Sequence, residues 1–337
     1  MFVRENFTVE RTQSGYHITA DIPGAHRLFY SKAPQGFTDD FDLGSFEREI
    51  TVADPLPGCR CYFHIMTGSE YSVAALRRFE IDGLINSREP GGFNTADGGS
   101  FIRHGSIIRA ERLFDADSAG VEQIKKLRLK NIIDFRLASE AKKFPDPEFN
   151  GVKYTNLEVL DPSCVLMGDI MRAALIEGGE AADKAEADLA LEYRKYPFNS
   201  AFRRMFDILL EGGPVLIHCT SGKDRTGIAL MLIMLVLGIP EQTIIYDYML
   251  SAEYRAQSYR ELMRQYGGYL HSEGQKQLAE SIFTVRRESI ESSFDAIHER
   301  YGSDYGSYFK EILGLDERKI ERLKSLYLIK HVERKSK

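Results

Sequence analysis

The sequence predicts an α/β layered domain, in which helices flank a central sheet, together with a small all-β domain at the N-terminus. Three observations point to this fold. Short β-rich runs fill residues 6 to about 80, strand-like and helix-like patterns alternate after residue 107, and a polar segment, residues 218–227, separates two apolar runs. The 43% of hydrophobic residues in a chain of 337 are enough for a substantial core.

The first part of the chain has the pattern of short strands. Gly, Pro and Asp turns separate β-rich runs at Tyr16–Ala20, Arg27–Tyr30 and Arg60–Ile65. We predict a small β-sandwich or barrel in residues 1–82, a second domain in residues 83–330 and a frayed tail in residues 331–337. A binding module and a packing brace are both compatible with the N-terminal pattern.

The second domain shows the alternation of strands and helices. The predicted elements are strand Ile107–Glu111, helix Ser118–Leu129 with Asp117 or Ser118 as N-cap, and strands Asn131–Phe135, Val152–Val159 and Val215–Cys219. A helical insertion at about residues 163–197, divided by Gly178-Gly179, is either a mobile lid over the pocket or a solvated hairpin that braces the domain. From Glu241 onward the pattern is almost wholly helical.

Charge and cysteine content narrow the function classes. A net charge of -6 and a pI near 5.8 argue against general binding to nucleic acid or anionic membranes, which depends on clustered Lys and Arg. No segment reaches the roughly 18 apolar residues that span a bilayer, and the first residues lack the apolar core of a signal peptide. The cysteines at positions 59, 61, 164 and 219 show no zinc spacing, and Cys59 and Cys61 would share one face of a strand.

The polar segment has the features of an anion-binding loop. Pro214–Ile217 has the length and β-branching of a buried strand, and Ile228–Leu237 is long enough for a core helix, so the segment between them is a strand-to-helix turn. Backbone N–H groups in such a turn, with the positive end of the helix dipole, bind a tetrahedral oxyanion. In an α/β sheet, ligands bind at this carboxyl end of the strands.

Cys219 and Arg225, six positions apart, provide the chemistry of this turn. A thiol at a helix N-terminus beside cations ionises readily, so we expect Cys219 to be a thiolate, which functions best in a reducing, cytoplasmic compartment. The planar Arg225 fork can bind two phosphate oxygens. Gly222 and Gly227 would let the backbone adopt unusual dihedral angles close to the anion, and Thr226 can donate a hydrogen bond to the sulfur. A purely structural cysteine explains neither the arginine nor the polar segment.

The segment HCTSGKDRTG, residues 218–227, resembles the signature of the cysteine-based protein tyrosine phosphatase superfamily: a cysteine, five residues and an arginine followed by Ser or Thr. With Lys223 and Asp224 inside the loop, it is similar to the bacterial tyrosine and serine phosphatase branch of dual or triple specificity. Further similar segments between residues 84 and 330 are Asn86–Gly92, Asp97–Gly98, Ile102–Gly105, Ile132–Arg136 with Glu140, Tyr246–Ser251, Tyr301–Ser303 and Leu313–Leu315. Ser87, Glu89 and Pro90 depart from the family's opening motif, which affects local packing more than catalysis.

The resemblance implies a phosphatase-like fold and hydrolysis of phosphate monoesters without metal or cofactor. Cys219 would attack phosphorus to form a phosphocysteine intermediate, and Arg225 would stabilise the transferring group. The implied phosphate-binding residues are Thr220, Ser221, Gly222, Lys223, Thr226 and Gly227. The substrate would be a phosphorylated protein, carrying phosphotyrosine or phosphoserine and phosphothreonine, or a phosphoinositide.

Several polar residues near the loop have two possible roles each. Asp224 is the first candidate for the general acid, with Asp161 and Asp134 as alternatives, although Asp224 could instead orient Arg225 or the loop backbone. Lys223 either adds a positive charge near a polyanionic substrate or faces solvent. Arg88 and Arg136 resemble residues of the pocket wall, but either could form a structural ion pair.

Two other function classes remain compatible with the loop. A catalytically silent phosphate-binding module would keep the glycine turn and Arg225, and a sulfur-transfer enzyme would also hold a reactive cysteine in an anion-binding loop. His218, on the strand before the nucleophile, points to the opposite side and is expected to order the loop rather than act as a base.

Overall fold

The computed structural model describes residues 4–36, 41–159 and 179–331. Asp161, Cys164, the first part of the predicted insertion and residues 332–337 of the predicted tail lie outside the described residues.

The N-terminal part consists of antiparallel strands, which confirms the predicted all-β region. One sheet has the order β1-β2-β5 and another has the order β4-β3-β6-β7. The strands are β1 Phe7–Arg11, β2 Gly15–Ala20, β3 His26–Ser31, β4 Asp42–Phe46, β5 Glu49–Ala53, β6 Tyr62–Thr67 and β7 Glu70–Ala75. Side chains that alternate along the strands, such as Ile18, Leu28, Phe63 and Ile65, form the core between the sheets.

The prediction that Cys59 and Cys61 share one face of a strand is wrong. Cys59 is exposed in the turn before β6, whereas Cys61 is buried in the β core. Because β6 begins only at Tyr62, the alternation of a strand does not apply to the pair.

A buried carboxylate joins the N-terminal sheets to the rest of the molecule. Glu89 accepts hydrogen bonds from Arg60, from His104 and from the backbone N–H of Gly105. Burial alone would raise the pKa of Glu89, but Arg60 and His104 lower it to about 2. Glu89, which departs from the family's opening motif, therefore bonds Arg60 of the N-terminal region. A contact of this kind is what a packing brace makes.

A parallel sheet with the order β11-β10-β12-β9 forms the centre of the second part. Its strands are β9 Ile107–Ala110, β10 Asn131–Asp134, β11 Lys153–Asn156 and β12 Val215–His218, while β8 Ser100–Ile102 pairs with β13 Leu328–Lys330. Leu216 of β12 pairs with Ile132 and Ile108, and these three side chains pack in the core on one face. Val215 and Ile217 face the opposite core, so the sheet is covered on both sides.

Helices cover both faces of this sheet, as predicted. They are α1 Ser118–Lys126, α2 Ala138–Lys143, α3 Gly179–Lys195, α4 Ala201–Leu209, α5 Asp224–Val236, α6 Glu241–Tyr266, α7 Glu273–Phe283, α8 Arg287–Tyr301, α9 Gly306–Glu311 and α10 Glu317–Tyr327. Asp117 caps α1 by accepting from Gly120 N. Every residue of α5 from Arg225 onward is buried, as its continuously apolar sequence requires.

The described part of the predicted insertion is tied to the core. Tyr193 near the end of α3 is 2% exposed, and Ser293 of α8 donates a hydrogen bond to its carbonyl. None of the helices in the described ranges is both long and apolar enough to cross a membrane.

Candidate active site

Cys219 follows the last residue of β12, and α5 begins five residues later at Asp224. Gly222 in the loop has φ 65°, and a Cβ there would overlap the carbonyl of Ala110, so only glycine fits. Gly227 does not adopt the unusual dihedral angles that the sequence predicts for it. It is helical, and it is needed because a Cβ would lie 2.8 Å from the Tyr248 ring.

The carbonyl oxygens of the loop are bonded on the side of the protein interior. Thr220 O accepts from the backbone N–H of Arg112 at 3.1 Å. The Nδ2 group of Asn86 donates to Ser221 O at 3.2 Å and to Gly222 O at 3.1 Å. Because N–H and C=O point in opposite directions across a trans peptide, the following N–H groups face the loop's concave side. The loop therefore has the geometry of an oxyanion cradle.

Arg225 lies at the mouth of this cradle, held by a carboxylate. Its Nη1 and Nη2 groups donate to Glu140 at 2.6 Å and 3.0 Å, and Nη2 also donates to Thr220 Oγ1 at 3.2 Å. Burial alone would lower the pKa of Arg225, but the negative charges of Cys219 and Glu140 raise it above its ordinary value. Arg225 is thus a fixed cation with its fork at the phosphate loop.

Asp224 at the start of α5 does not orient Arg225. Its carboxylate accepts from the hydroxyl of Tyr193 and from Lys223 Nζ at 3.1 Å. The side chain is 20% exposed, so it is the first-turn acid that solvent reaches. The Tyr193 hydroxyl also lies 2.8 Å from that of Tyr248.

Lys223 occupies neither of the two positions considered for it. Its side chain is buried, and Nζ donates to the Ser281 carbonyl of α7 at 2.7 Å as well as to Asp224. Burial lowers the pKa of Lys223 in spite of the Asp224 charge. In this structure the ammonium group binds the protein interior rather than solvent or an open pocket.

The expected hydrogen bond from Thr226 to the sulfur is not made. Within residues 4–36, 41–159 and 179–331, Thr226 Oγ1 is buried and has no hydrogen-bond partner.

Arg136 and Asp134 lie in a buried ion-pair cluster. Arg136 bonds Asp134 and Asp146, Tyr154 donates to Asp134 at 2.6 Å, and His218 Nε2 lies 3.2 Å from Asp146. Burial alone would raise the pKa of Asp134, but His218 and Arg136 lower it below its ordinary value. The carboxylates and the imidazole have the spacing of metal ligands, yet the Arg136 guanidinium already bonds both carboxylates. We interpret the cluster as structural.

Arg88 is also buried away from the pocket. It donates to Asp247 at 3.1 Å and to Ser251 Oγ at 2.9 Å, and its side chain is 0% exposed. Arg109 bonds the other carboxylate oxygen of Asp247 at 2.8 Å. The ion-pair alternative therefore describes both Arg88 and Arg136.

Sequence reasoning missed the residues that hold the loop from a distance. Glu140 and Asp247 appear in the sequence only as parts of family-like segments, and Arg109 only as part of a predicted strand, so their role in holding the loop was not predicted. A signal for Arg109 was present, because an arginine interrupts the otherwise apolar buried strand Ile107–Ala110. Tyr193 gave no signal, since aromatic residues are common in core helices.

Known proteins similar to this chain are phosphatases. The model of the tyrosine phosphatase family matches residues 79–329. A protein of Cupriavidus necator that carries the name of a tyrosine-protein phosphatase is 29% identical over 76% of this chain and 90% of its own length. The triple specificity protein phosphatase PtpB of Mycobacterium tuberculosis is 25% identical over 74% of this chain and 98% of its own. A tyrosine-protein phosphatase of Nostoc commune is 28% identical over 63% of this chain and 70% of its own.

Proposed function

Because this chain belongs to the tyrosine phosphatase family and is a phosphoric monoester hydrolase, we propose that it hydrolyses phosphotyrosine with Cys219 as the nucleophile. The observation that carries this proposal is the position of the Arg225 fork. Glu140 and Thr220 hold that fork at the mouth of the cradle, next to the loop that begins at Cys219.

The proposed reaction has two displacements. The Cys219 thiolate attacks phosphorus in line, so a P–S bond forms while the P–O bond to the leaving group breaks. Arg225 and the loop N–H groups stabilise the equatorial oxygens, where negative charge develops. Water then hydrolyses the phosphocysteine, which releases inorganic phosphate and regenerates the thiolate.

Asp224 is the proposed general acid, which gives its proton to the leaving oxygen. Asp134 is buried between Arg136 and His218 with a lowered pKa, so it is a poor proton donor. Asp224 stands in the first turn of α5 beside the cradle and remains partly exposed. Asp161 lies outside the described residues.

We further propose that the specificity extends to phosphoserine, phosphothreonine and phosphoinositides. The similarity to a phosphatase named for triple specificity supports this extension. Lys223 would bind additional phosphate groups only if its Nζ left Ser281 O. We therefore rank phosphotyrosine before polyanionic lipid head groups.

The test compares wild type with Cys219→Ser. Phosphate release is measured with p-nitrophenyl phosphate, phosphotyrosine and phosphoserine peptides, and a phosphoinositide panel, in the presence of a metal chelator. The matched control is Cys59→Ser, which replaces an exposed cysteine far along the chain from the loop. We expect release to be lost in Cys219→Ser and retained in Cys59→Ser.

Three results would contradict the proposal. Release that persists in Cys219→Ser would exclude the thiolate as nucleophile. Absence of release from folded wild type on every substrate would favour a silent phosphate-binding module, and sulfur transfer from thiosulfate would favour the sulfur-transfer enzyme.

A further inference from the structure

Arg109 makes an unusual set of bonds for a strand residue. Its side chain is 0% exposed, with Nη1 on Asp247 at 2.8 Å. Its Nη2 group donates to Gly222 O at 2.6 Å and lies 3.3 Å from Lys223 O. One end of the guanidinium is therefore fixed to a carboxylate, and the other end binds the backbone of the phosphate loop.

Keeping this charge buried is unfavourable on its own. Burial and the neighbouring Arg88 lower the pKa of Arg109 to about 10, although Asp247 acts in the opposite direction. An apolar side chain in the same strand would avoid that penalty. The bonds to the loop carbonyls are what an apolar residue could not supply.

The geometry of the peptide explains what those bonds achieve. A carbonyl that points to Arg109 forces the N–H of the next residue to point the other way. The carbonyls of Gly222 and Lys223 thus set the directions of the Lys223 and Asp224 amides. Asn86 does the same for the peptides that begin at Ser221 and Gly222.

Asn86 is itself held in place from two sides. Its backbone N–H donates to the Glu111 carboxylate at 3.0 Å, and its Oδ1 accepts from Arg88. Arg88 and Arg109 in turn share the carboxylate of Asp247. The donors behind the loop therefore form one connected, buried network.

We propose that Arg109 is a positioning residue: together with Asn86, it draws the carbonyls of residues 221–223 away from the pocket and so aims the loop N–H groups at the phosphate. The inference deepens the proposed function, because the phosphate-binding loop is the same. A lysine could not replace Arg109, since one ammonium nitrogen cannot occupy both the Nη1 position at Asp247 and the Nη2 position at the loop carbonyls.

The test measures anion binding by the loop without requiring turnover. In a Cys59→Ser background, alkylation of Cys219 by anionic iodoacetate is compared with alkylation by neutral iodoacetamide, by mass spectrometry of the Cys219 peptide. Protection by inorganic phosphate gives a second readout. A loop whose N–H groups point inward accelerates the anionic reagent relative to the neutral one.

The variants are Arg109→Lys and Asn86→Leu, with Arg77→Lys as the matched control. Arg77 is an arginine with a side chain only 12% exposed that bonds a carboxylate, Glu5, and two backbone carbonyls, but these carbonyls belong to Glu89 and Gly91 outside the loop. Asn86→Leu has nearly the size of asparagine and adds no charge beside the loop; it removes the Nδ2 donor together with the Oδ1 acceptor for Arg88.

We expect both test variants to lower the iodoacetate to iodoacetamide rate ratio, and to raise the phosphate concentration for half-protection, by about tenfold or more. The control should stay within about twofold of wild type while losing comparable thermal stability. A folded Arg109→Lys with the wild-type ratio, or an equal loss in Arg77→Lys, would overturn the inference. If Arg109→Lys does not fold, an unchanged ratio in Asn86→Leu would overturn it.

The outcome separates this inference from the proposed function. Wild type that binds phosphate and prefers iodoacetate, yet hydrolyses no monoester, would remove the catalytic proposal and leave the role of Arg109 intact. Wild type that hydrolyses monoesters, together with an Arg109→Lys variant that keeps the wild-type iodoacetate to iodoacetamide rate ratio, would support the catalytic proposal and remove the role of Arg109.

Discussion

Two arginine–carboxylate clusters border the phosphate loop, and they differ in their access to solvent. Behind the loop, Arg88 and Arg109 share Asp247, and these side chains are 0% to 2% exposed. At the mouth, Arg225 is 9% exposed and its partner Glu140 is 28% exposed. The buried arginine–carboxylate cluster behind the loop is thus suited to fixing the loop backbone, and the more exposed pair at the mouth is suited to binding a substrate.

Because the two clusters differ in exposure, substitutions in them should affect different quantities: the free energy of unfolding behind the loop and the reaction rate at its mouth. A buried pair that loses one partner leaves an uncompensated charge in a low-dielectric interior. The pair at the mouth is also largely buried on the Arg225 side, but Glu140 is 28% exposed, so solvent can replace part of the contact and its loss is expected to appear mainly in the rate.

The largest effect is expected from Asp247→Ala behind the loop. It leaves Arg88 and Arg109 without their common carboxylate, which should lower the free energy of unfolding by about 3–5 kcal/mol. Urea unfolding measures the loss, and Asp247→Asn, which keeps an acceptor, should lose less. A decrease under about 1 kcal/mol would mean that this cluster does not stabilise the fold.

The next effect concerns Arg225→Lys at the mouth. Loss of the planar fork should lower kcat by about 10²–10³-fold because the transferring phosphoryl group loses a positioned donor pair. Because lysine keeps the positive charge beside Glu140, the free energy of unfolding should change by no more than about 1 kcal/mol. Steady-state kinetics and urea unfolding of the same preparation check both; a stability loss like that of Asp247→Ala, with kcat retained, would erase the distinction between the clusters.

Asp224→Asn tests the acid at the same mouth. Asparagine still accepts from Tyr193 and Lys223 but cannot supply a proton, so hydrolysis of alkyl phosphates should slow by about 10²-fold. p-Nitrophenyl phosphate, whose leaving group needs little protonation, serves as the internal control and should be affected much less. Equal slowing of both substrates would indicate that Asp224 acts through loop structure instead.

The smallest effect is a pH dependence of stability at Glu140. Burial alone would raise the pKa of Glu140, but Arg225 and Thr220 lower it to about 2. A group with a lowered pKa stabilises the fold above its unfolded pKa, near 4.5, and this contribution disappears as pH falls towards 2.

The matched comparison is the unfolding free energy of wild type and Glu140→Gln between pH 6 and pH 2. After allowance for solvent screening, wild type should be more stable by about 1 kcal/mol above pH 4.5, with the difference shrinking at lower pH. A difference that is constant over this range would show that Glu140 is not held ionised by Arg225.

The sequence predicted the parts of the site that are close together in the chain. The apolar runs on both sides of residues 218–227 determined the strand, the turn and the helix, and the spacing of Cys219 and Arg225 is a local property. The all-β start and the α/β alternation were also predicted. Some strands are shorter than predicted, such as Lys153–Asn156 in place of Val152–Val159. Local periodicity is enough for these features.

The supporting residues could not be predicted in the same way. Arg109 reaches Gly222 and Asp247 across more than a hundred residues, and only the fold brings them together. Lys223 was expected at the substrate or in solvent, because the sequence does not show that α7 places the Ser281 carbonyl beside it. The division into domains at residues 82 and 83 stays a prediction.

The central claim, covalent catalysis by Cys219, is tested most directly by trapping the intermediate. Wild type is mixed with a phosphotyrosine peptide, quenched in acid within milliseconds, and digested for mass spectrometry of the Cys219 peptide. We expect one phosphoryl group on Cys219 and none in Cys219→Ser. Turnover without phosphate on Cys219, or with phosphate on another residue, would contradict the mechanism.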